Sequence, residues 1–267
     1  MKKTLRAAGR LVAGGAAGLI LALVGCRAPG PGKVLETPFP VVDQAGNARE
    51  YRLFLPDVKR ERLPLLVYFH GVISPCFKRI PSLKSYTGSP VEETDLIPFC
   101  RSHGIALLVP RAKYEYTFLN CTSVGWLTAK EIDGVEKIID TVAARFNIDG
   151  RRIYLAGISA GAVFSHFLAN RRPRFYSAIV SHSQAYVSER GEVLKPAEKG
   201  PRFGIVFCYN IGDYKQLIQF CIDSEKIYRR EGYRTVLLPD LPPKGHAWSS
   251  LNNGRFWKLL LRLGQRE

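Results

Sequence analysis

The segment that most limits what this chain can become is Gly157-Ile158-Ser159-Ala160-Gly161. The apolar run Ile153-Tyr154-Leu155-Ala156 precedes it with the pattern of a buried strand, and a helical pattern follows it directly. A chain turns this sharply from strand to helix only if the central residue has small neighbours, because the helix then packs close against the strand it has left. The turn exposes the serine hydroxyl at a helix N-terminus, where partial positive charge steadies a developing oxyanion. Ser159 is therefore read as a nucleophile, and the rest of the chain is expected to build a sheet beneath it.

Apolar runs alternating with helical periodicity supply that sheet. Strands are predicted over 50–55, 63–69, 105–109, 152–158, 178–181, 204–209 and 234–238. Helices are predicted over 95–102, 129–146, 160–170, 214–230 and 255–263. In the second of these Ile132, Val135, Ile139, Val142 and Phe146 share one face. The fold class is α/β, a mostly parallel central sheet with helices on both faces. With 267 residues and 46% hydrophobic content, one large core is expected rather than two small ones. Residues 72–94 and 111–128 read as long loops at the mouth of the sheet, where function concentrates.

A serine nucleophile needs a base. Among His70, His103, His166, His182 and His246, the last lies in Lys244-Gly245-His246-Ala247-Trp248, after the final strand and before the final helix. His246 is therefore taken as the base. His103 and His166 read as structural, and His182, beside Ser181 and Ser183 at a strand end, as a substrate contact. The acid that orients the imidazole is assigned to Asp213, which follows the strand over 204–209. Asp240, in a Pro-rich turn, is the runner-up, and Asp223 falls inside a helix. An ester pocket needs an apolar wall; Tyr86, Tyr114, Tyr116, Phe118 and Trp126 in the two loops are the material for it. Trp126 and Trp248 are expected to line the cleft and to favour aryl or medium-sized acyl esters. No Cys-x-x-Cys pair or histidine cluster suggests a metal, and no cofactor is expected.

The N-terminus carries Lys2, Lys3, Arg6 and Arg10, then an apolar stretch from Leu11 to Val24 that is short and rich in Gly and Ala. It ends in Leu23-Val24-Gly25-Cys26, the pattern of a bacterial lipobox. Residues 1–25 are read as a lipoprotein signal peptide, Cys26 as the lipidated residue, 26–34 as a Pro/Gly-rich tether, and 35–267 as the folded domain. The expected location is the bacterial cell envelope, exported and held to a membrane by lipid. Of the five later cysteines, Cys76 and Cys121 sit in irregular segments suited to a loop staple, while Cys100 and Cys221 read as buried thiols. Cys208 completes an odd set. The net charge of +16 is spread as pairs such as Arg151-Arg152 and Arg229-Arg230, with no nucleic-acid motif. It reads as a solvated basic surface, so no nucleic acid is expected as partner, and no obligate protein partner is evident.

Taken together, a strand closing in His70-Gly71, a helix containing Asp133-Gly134-Val135 and ending Phe146-Asn147-Ile148-Asp149, and then Arg152 through Gly161 resemble the polyhydroxybutyrate depolymerase and feruloyl esterase branch of secreted α/β-hydrolases. The resemblance runs from about residue 50 onward and is strongest over 133–169. It implies the α/β-hydrolase fold and hydrolysis of a small-molecule or oligomeric ester through an acyl-enzyme. It also implies an oxyanion hole made by the main-chain N–H of Ala160 and that of Gly71 or Val72, with His70 architectural. Two other readings stand beside it. One is a serine peptidase of the prolyl-oligopeptidase type; the other is a non-catalytic lipoprotein that retains the fold.

Overall fold

The computed structural model describes residues 32–56, 61–79, 86–118, 120–127, 129–188, 191–198 and 202–265. Cys26 and the leader lie outside them. Twelve strands are described: β1 (Val34–Glu36), β2 (Val41–Val42), β3 (Ala48–Arg49), β4 (Tyr51–Phe54), β5 (Leu63–Phe69), β6 (Ala106–Pro110), β7 (Glu115–Phe118), β8 (Cys121–Val124), β9 (Ile148–Ile158), β10 (Ala178–His182), β11 (Gly204–Asn210) and β12 (Thr235–Leu241). The helices are α1 (Leu96–His103), α2 (Lys130–Arg145), α3 (Ala160–Arg171), α4 (Lys215–Arg230) and α5 (Asn253–Leu263). Eight strands form one sheet in the order β1-β4-β6-β5-β9-β10-β11-β12. From β6 to β12 every pairing is parallel, and β4 runs antiparallel to both β6 and β1.

The parallel strands are apolar on both faces, as burial under helices on each side requires. In β5, Leu65, Val67 and Phe69 join the core beneath α2, α3 and α4, with Val135, Ile139, Phe164 and Tyr228. The alternate residues Leu66 and Tyr68 join the opposite core under α1 and α5, with Leu96, Cys100, Phe256 and Leu260. The period of two in the strand thus feeds two hydrophobic layers.

Both long loops hold more structure than their sequences suggest. Residues 72–94 contain short 3-10 turns at Pro75–Arg79 and Val91–Glu93, and 111–128 contains the β7–β8 hairpin. A disulfide joins Cys76 to Cys121, Cα to Cα 6.1 Å, so the two loops are stapled to each other. Ile73 and Val124 reinforce the staple with paired main-chain bonds of 2.8 and 2.9 Å. The second loop is tied from below by Glu131 at the start of α2, whose Oε1 accepts from the Lys113 and Tyr114 N–H groups at 2.7 Å each. Its other oxygen pairs with the buried Arg49 guanidinium, which also faces Asp43 at 3.6 Å. A charge so far from water is tolerated because it is paired and hydrogen-bonded.

Cys100, Cys208 and Cys221 are buried free thiols. No helix among the described residues is long and apolar enough to cross a membrane.

Candidate active site

Strand β9 ends in Ile158, and Ser159 turns the chain into α3 with φ 55° and ψ −122°, a conformation that L residues rarely adopt. Two glycines make the turn possible. A Cβ on Gly157 would fall 2.2 Å from the Gly161 carbonyl oxygen, and one on Gly161 would fall 2.2 Å from the Phe69 carbonyl oxygen. The first turn of α3 therefore rests directly on the ends of β9 and β5. The Ser159 N–H donates to the His182 carbonyl at 2.9 Å, and its carbonyl accepts from Ala162 and Val163 at 2.9 and 3.2 Å. No hydrogen bond from the Ala160 N–H is present among the described residues, so that donor is left open at the helix N-terminus.

Asp213 and His246 arrive from the far half of the sheet. Asp213 follows β11, its side chain fully buried, and its Oδ1 lies 2.9 Å from His246 Nδ1 and accepts from the Tyr214 N–H at 2.7 Å. Burial alone would raise this carboxyl. The hydrogen bond and charge of His246, with support from Ser183 and the Tyr214 N–H, outweigh burial and hold it below the ordinary value. Asp240 lies in β12 rather than in a turn and is exposed. Asp223 is in α4, where it meets Gln219 and Lys226.

The loop bearing His246 is held by Asn210, a residue that no sequence pattern singles out. Its Nδ2 donates to the Gly245 carbonyl at 2.9 Å and to the Ala247 carbonyl at 2.7 Å, gripping the chain on both sides of the histidine. Gly245 adds a 2.9 Å main-chain bond to Ile211. Ser249 donates to Asn210 Oδ1 and lies 2.9 Å from His182 Nε2, while His182 Nδ1 is 2.7 Å from Ser183 Oγ. A buried polar chain thus runs from Ser183 beneath Asp213, through His182 and Ser249, to Asn210 and the His246 loop.

Three sequence expectations are corrected here. His182 is fully buried and bridges serines, so it cannot touch a substrate; burial drives its pKa down to about 3 and keeps the imidazole neutral. Trp248 is 4% exposed and packs on Tyr68, His182 and Phe256, with Nε1 donating to Asn253 at 2.9 Å. Trp126 is 1% exposed and lies among Phe69, His70 and Phe164. Both indoles belong to the cores because the residues around them are large and apolar, and neither lines a cleft. Of the two alternative main-chain donors after β5, Gly71 is already engaged, its N–H donating to the Gly88 carbonyl at 2.7 Å. The Val72 N–H shows no such partner among the described residues. His70 is bonded to the Gly71 carbonyl at 2.6 Å and lowered in pKa by burial.

The aromatic that does stand at the site is Tyr86. Its ring centroid is 4.6 Å from that of His246, and Tyr214 flanks the same imidazole at 5.6 Å. No hydrogen bond joins the Ser159 hydroxyl to His246 among the described residues, and it is the Tyr86 phenol that acts on the serine side chain. No group of three or more potential metal ligands occurs among the described residues.

Residues 49–197, more than half of the chain, match the family model described as esterase PHB depolymerase. That match includes Ser159 and ends before Asp213 and His246. Acetylxylan esterase A of Emericella nidulans is 22% identical over 101 residues, which are 37% of this chain and 32% of that protein. The chain thus spans about a third of the length of the curated relatives it matches. Among solved structures, a ferulic acid esterase superposes with a TM-score of 0.58 at 13% identity, over 89% of this chain and all of that one. An S-formylglutathione hydrolase from Staphylococcus aureus gives 0.56 at 14% identity, over 87% and 98%. At such identities the structural likeness speaks for the fold alone, and that fold is the α/β-hydrolase fold.

Proposed function

The chain belongs to the esterase PHB depolymerase family, and from that membership we propose that it is a serine hydrolase cleaving carboxylic esters through Ser159, His246 and Asp213. The observation that carries the reading is the strained Ser159 elbow at the same sheet edge as a buried aspartate bonded to a histidine. In the proposed course, Ser159 Oγ attacks the ester carbonyl carbon as its proton passes to His246 Nε2. The carbonyl π electrons move onto oxygen, and the oxyanion accepts hydrogen bonds from the Ala160 and Val72 N–H groups. Collapse expels the alcohol, which leaves with the proton from His246. Water then adds to the acyl-enzyme by the same route, and the acid departs with Ser159 restored. The Ser159–His246 bond that this requires forms as substrate binds; catalytic bonds are commonly loose in an unliganded site. Asp213 fixes the imidazole tautomer and steadies the transient imidazolium.

The test is a panel of p-nitrophenyl acetate, a feruloyl ester, hydroxybutyrate oligomers and a peptide amide, run beside labelling with a fluorophosphonate. Ester turnover together with labelling is the expected result. Cleavage of the amide and none of the esters would turn the reading to a peptidase, and the absence of both turnover and labelling would leave a non-catalytic scaffold.

We propose further that the protein is exported and held to a membrane by lipid on Cys26. The lipobox pattern supports this, and so does the Cys76–Cys121 disulfide, a bond that suits an oxidising compartment. Labelling with a fatty-acid analogue should tag the wild type and not Cys26→Ala; equal labelling of the two refutes the anchor.

A further inference from the structure

Tyr86 is half-buried and packs against three parts of the site at once. Its ring packs on His246 at 4.6 Å and on Phe77 at 5.4 Å, and its hydroxyl reaches across the end of β5. A Cβ built on Gly71 would stand 1.8 Å from that oxygen and 3.3 Å from Ser159 Cβ. Residue 71 must therefore lack a side chain for the phenol to occupy its place beside the serine. The oxygen is shut off from solvent and has no hydrogen-bond partner at ordinary geometry among the described residues.

A buried hydroxyl left unpaired is destabilising, because it has given up water without gaining a partner. Among the described residues only the Ser159 hydroxyl lies near it, short of ordinary hydrogen-bond geometry, whereas a carbonyl oxygen bound above Ser159 would accept its proton. Main-chain supply is limited on this side, because the Gly71 N–H is spent on Gly88 and, among the described residues, Val72 and Ala160 remain open. Resting on the ester-hydrolase reading of Ser159, we infer that the Tyr86 hydroxyl is a third oxyanion donor, giving its hydrogen bond to the substrate carbonyl oxygen as negative charge gathers there. Burial raises the phenol well above its ordinary pKa, more than the neighbouring Ser159 hydroxyl lowers it, so the proton needed for donation is retained.

Tyr86→Phe keeps the ring on His246 and Phe77 and removes only the oxygen. On p-nitrophenyl acetate kcat should fall by roughly 100-fold with KM changed by less than about threefold, as expected when a contact is made chiefly in the transition state. Phenylboronic acid adds to a serine oxygen as a tetrahedral anion, so it should bind the variant weaker by a similar factor. The melting temperature should hold or rise, since an unsatisfied buried group has been removed. A kcat within about twofold of wild type would overturn the inference. So would a gain in turnover, which would make the phenol a plug in the hole, or a loss of kcat that comes with a lower melting temperature, which would make it a packing residue. Should the wild type hydrolyse no ester, the reading of Ser159 fails by itself, and boronic-acid affinity still decides whether the phenol donates.

Discussion

Ser159→Ala is expected to lower kcat/KM on any ester the wild type hydrolyses by at least about 10,000-fold and to abolish fluorophosphonate labelling. The effect should be this large because no other group can take the attacking role at the elbow. In the proposed mechanism Asp213 and His246 only move and steady a proton, and the open N–H groups only stabilise charge. The fold should barely notice the change. The Ser159 N–H and carbonyl carry the local hydrogen bonds, to His182 and from Ala162 and Val163, and alanine keeps all three. Stability measured by urea unfolding should therefore shift by less than about 0.5 kcal/mol. Turnover by the purified variant within tenfold of wild type would remove the nucleophile from the argument.

Acid should begin to destabilise this protein well above the pH at which its carboxylates titrate. His166 in α3 and His182 at the end of β10 are fully buried, and desolvation lowers each from 6.5 to about 3. Above about pH 6.5 both are neutral whether the chain is folded or not, and their packing contributes in full. Between about 6.5 and 3 the unfolded chain binds two protons that the folded one refuses. Stability then falls by about 1.4 kcal/mol per pH unit for each histidine. The depressed Asp213 acts in the same direction at still lower pH, since its stabilisation is lost as pH falls through its folded value. A domain holds in reserve only about 5–15 kcal/mol, so unfolding near pH 4 is expected. Urea midpoints from pH 7.5 down to 4.5 check this, and His166→Phe should roughly halve the slope. A midpoint that stays level across that range would show that both imidazoles are protonated in the folded state.

Seven of the eight strands of the main sheet and all five described helices were legible because their signals are local and long, whereas the three-residue β1 was not. Strand 63–69 is found where it was predicted, and the helix bounds move by no more than two residues. Ser159 is read from the motif Gly157 to Gly161 and Asp213 and His246 from position along the chain, and the structure brings the last two into contact. The β7–β8 hairpin was missed because Glu115–Phe118 and Cys121–Val124 are short and mixed in polarity, held by the disulfide and Glu131 rather than by a hydrophobic pattern. Trp126 and Trp248 were placed in the cleft because loop tryptophans near a base look like a wall, and sequence spacing does not say on which side of a loop an indole falls. Asn210 could not be found at all. Its work depends on two carbonyls more than 30 residues away, and no pattern in the neighbouring sequence records that.

The backbone at Ser159 bears on how this chain would drift over time. An L side chain at φ 55° and ψ −122° carries a cost of order 1–3 kcal/mol, which glycine would not carry. A codon for serine can become one for glycine by a single base change, and here that change would relax the fold. A lineage with no use for the hydroxyl would thus run downhill toward glycine, gaining stability as it went. This chain carries serine at that position in spite of the slope, which fits a chain that uses the hydroxyl better than a retired scaffold.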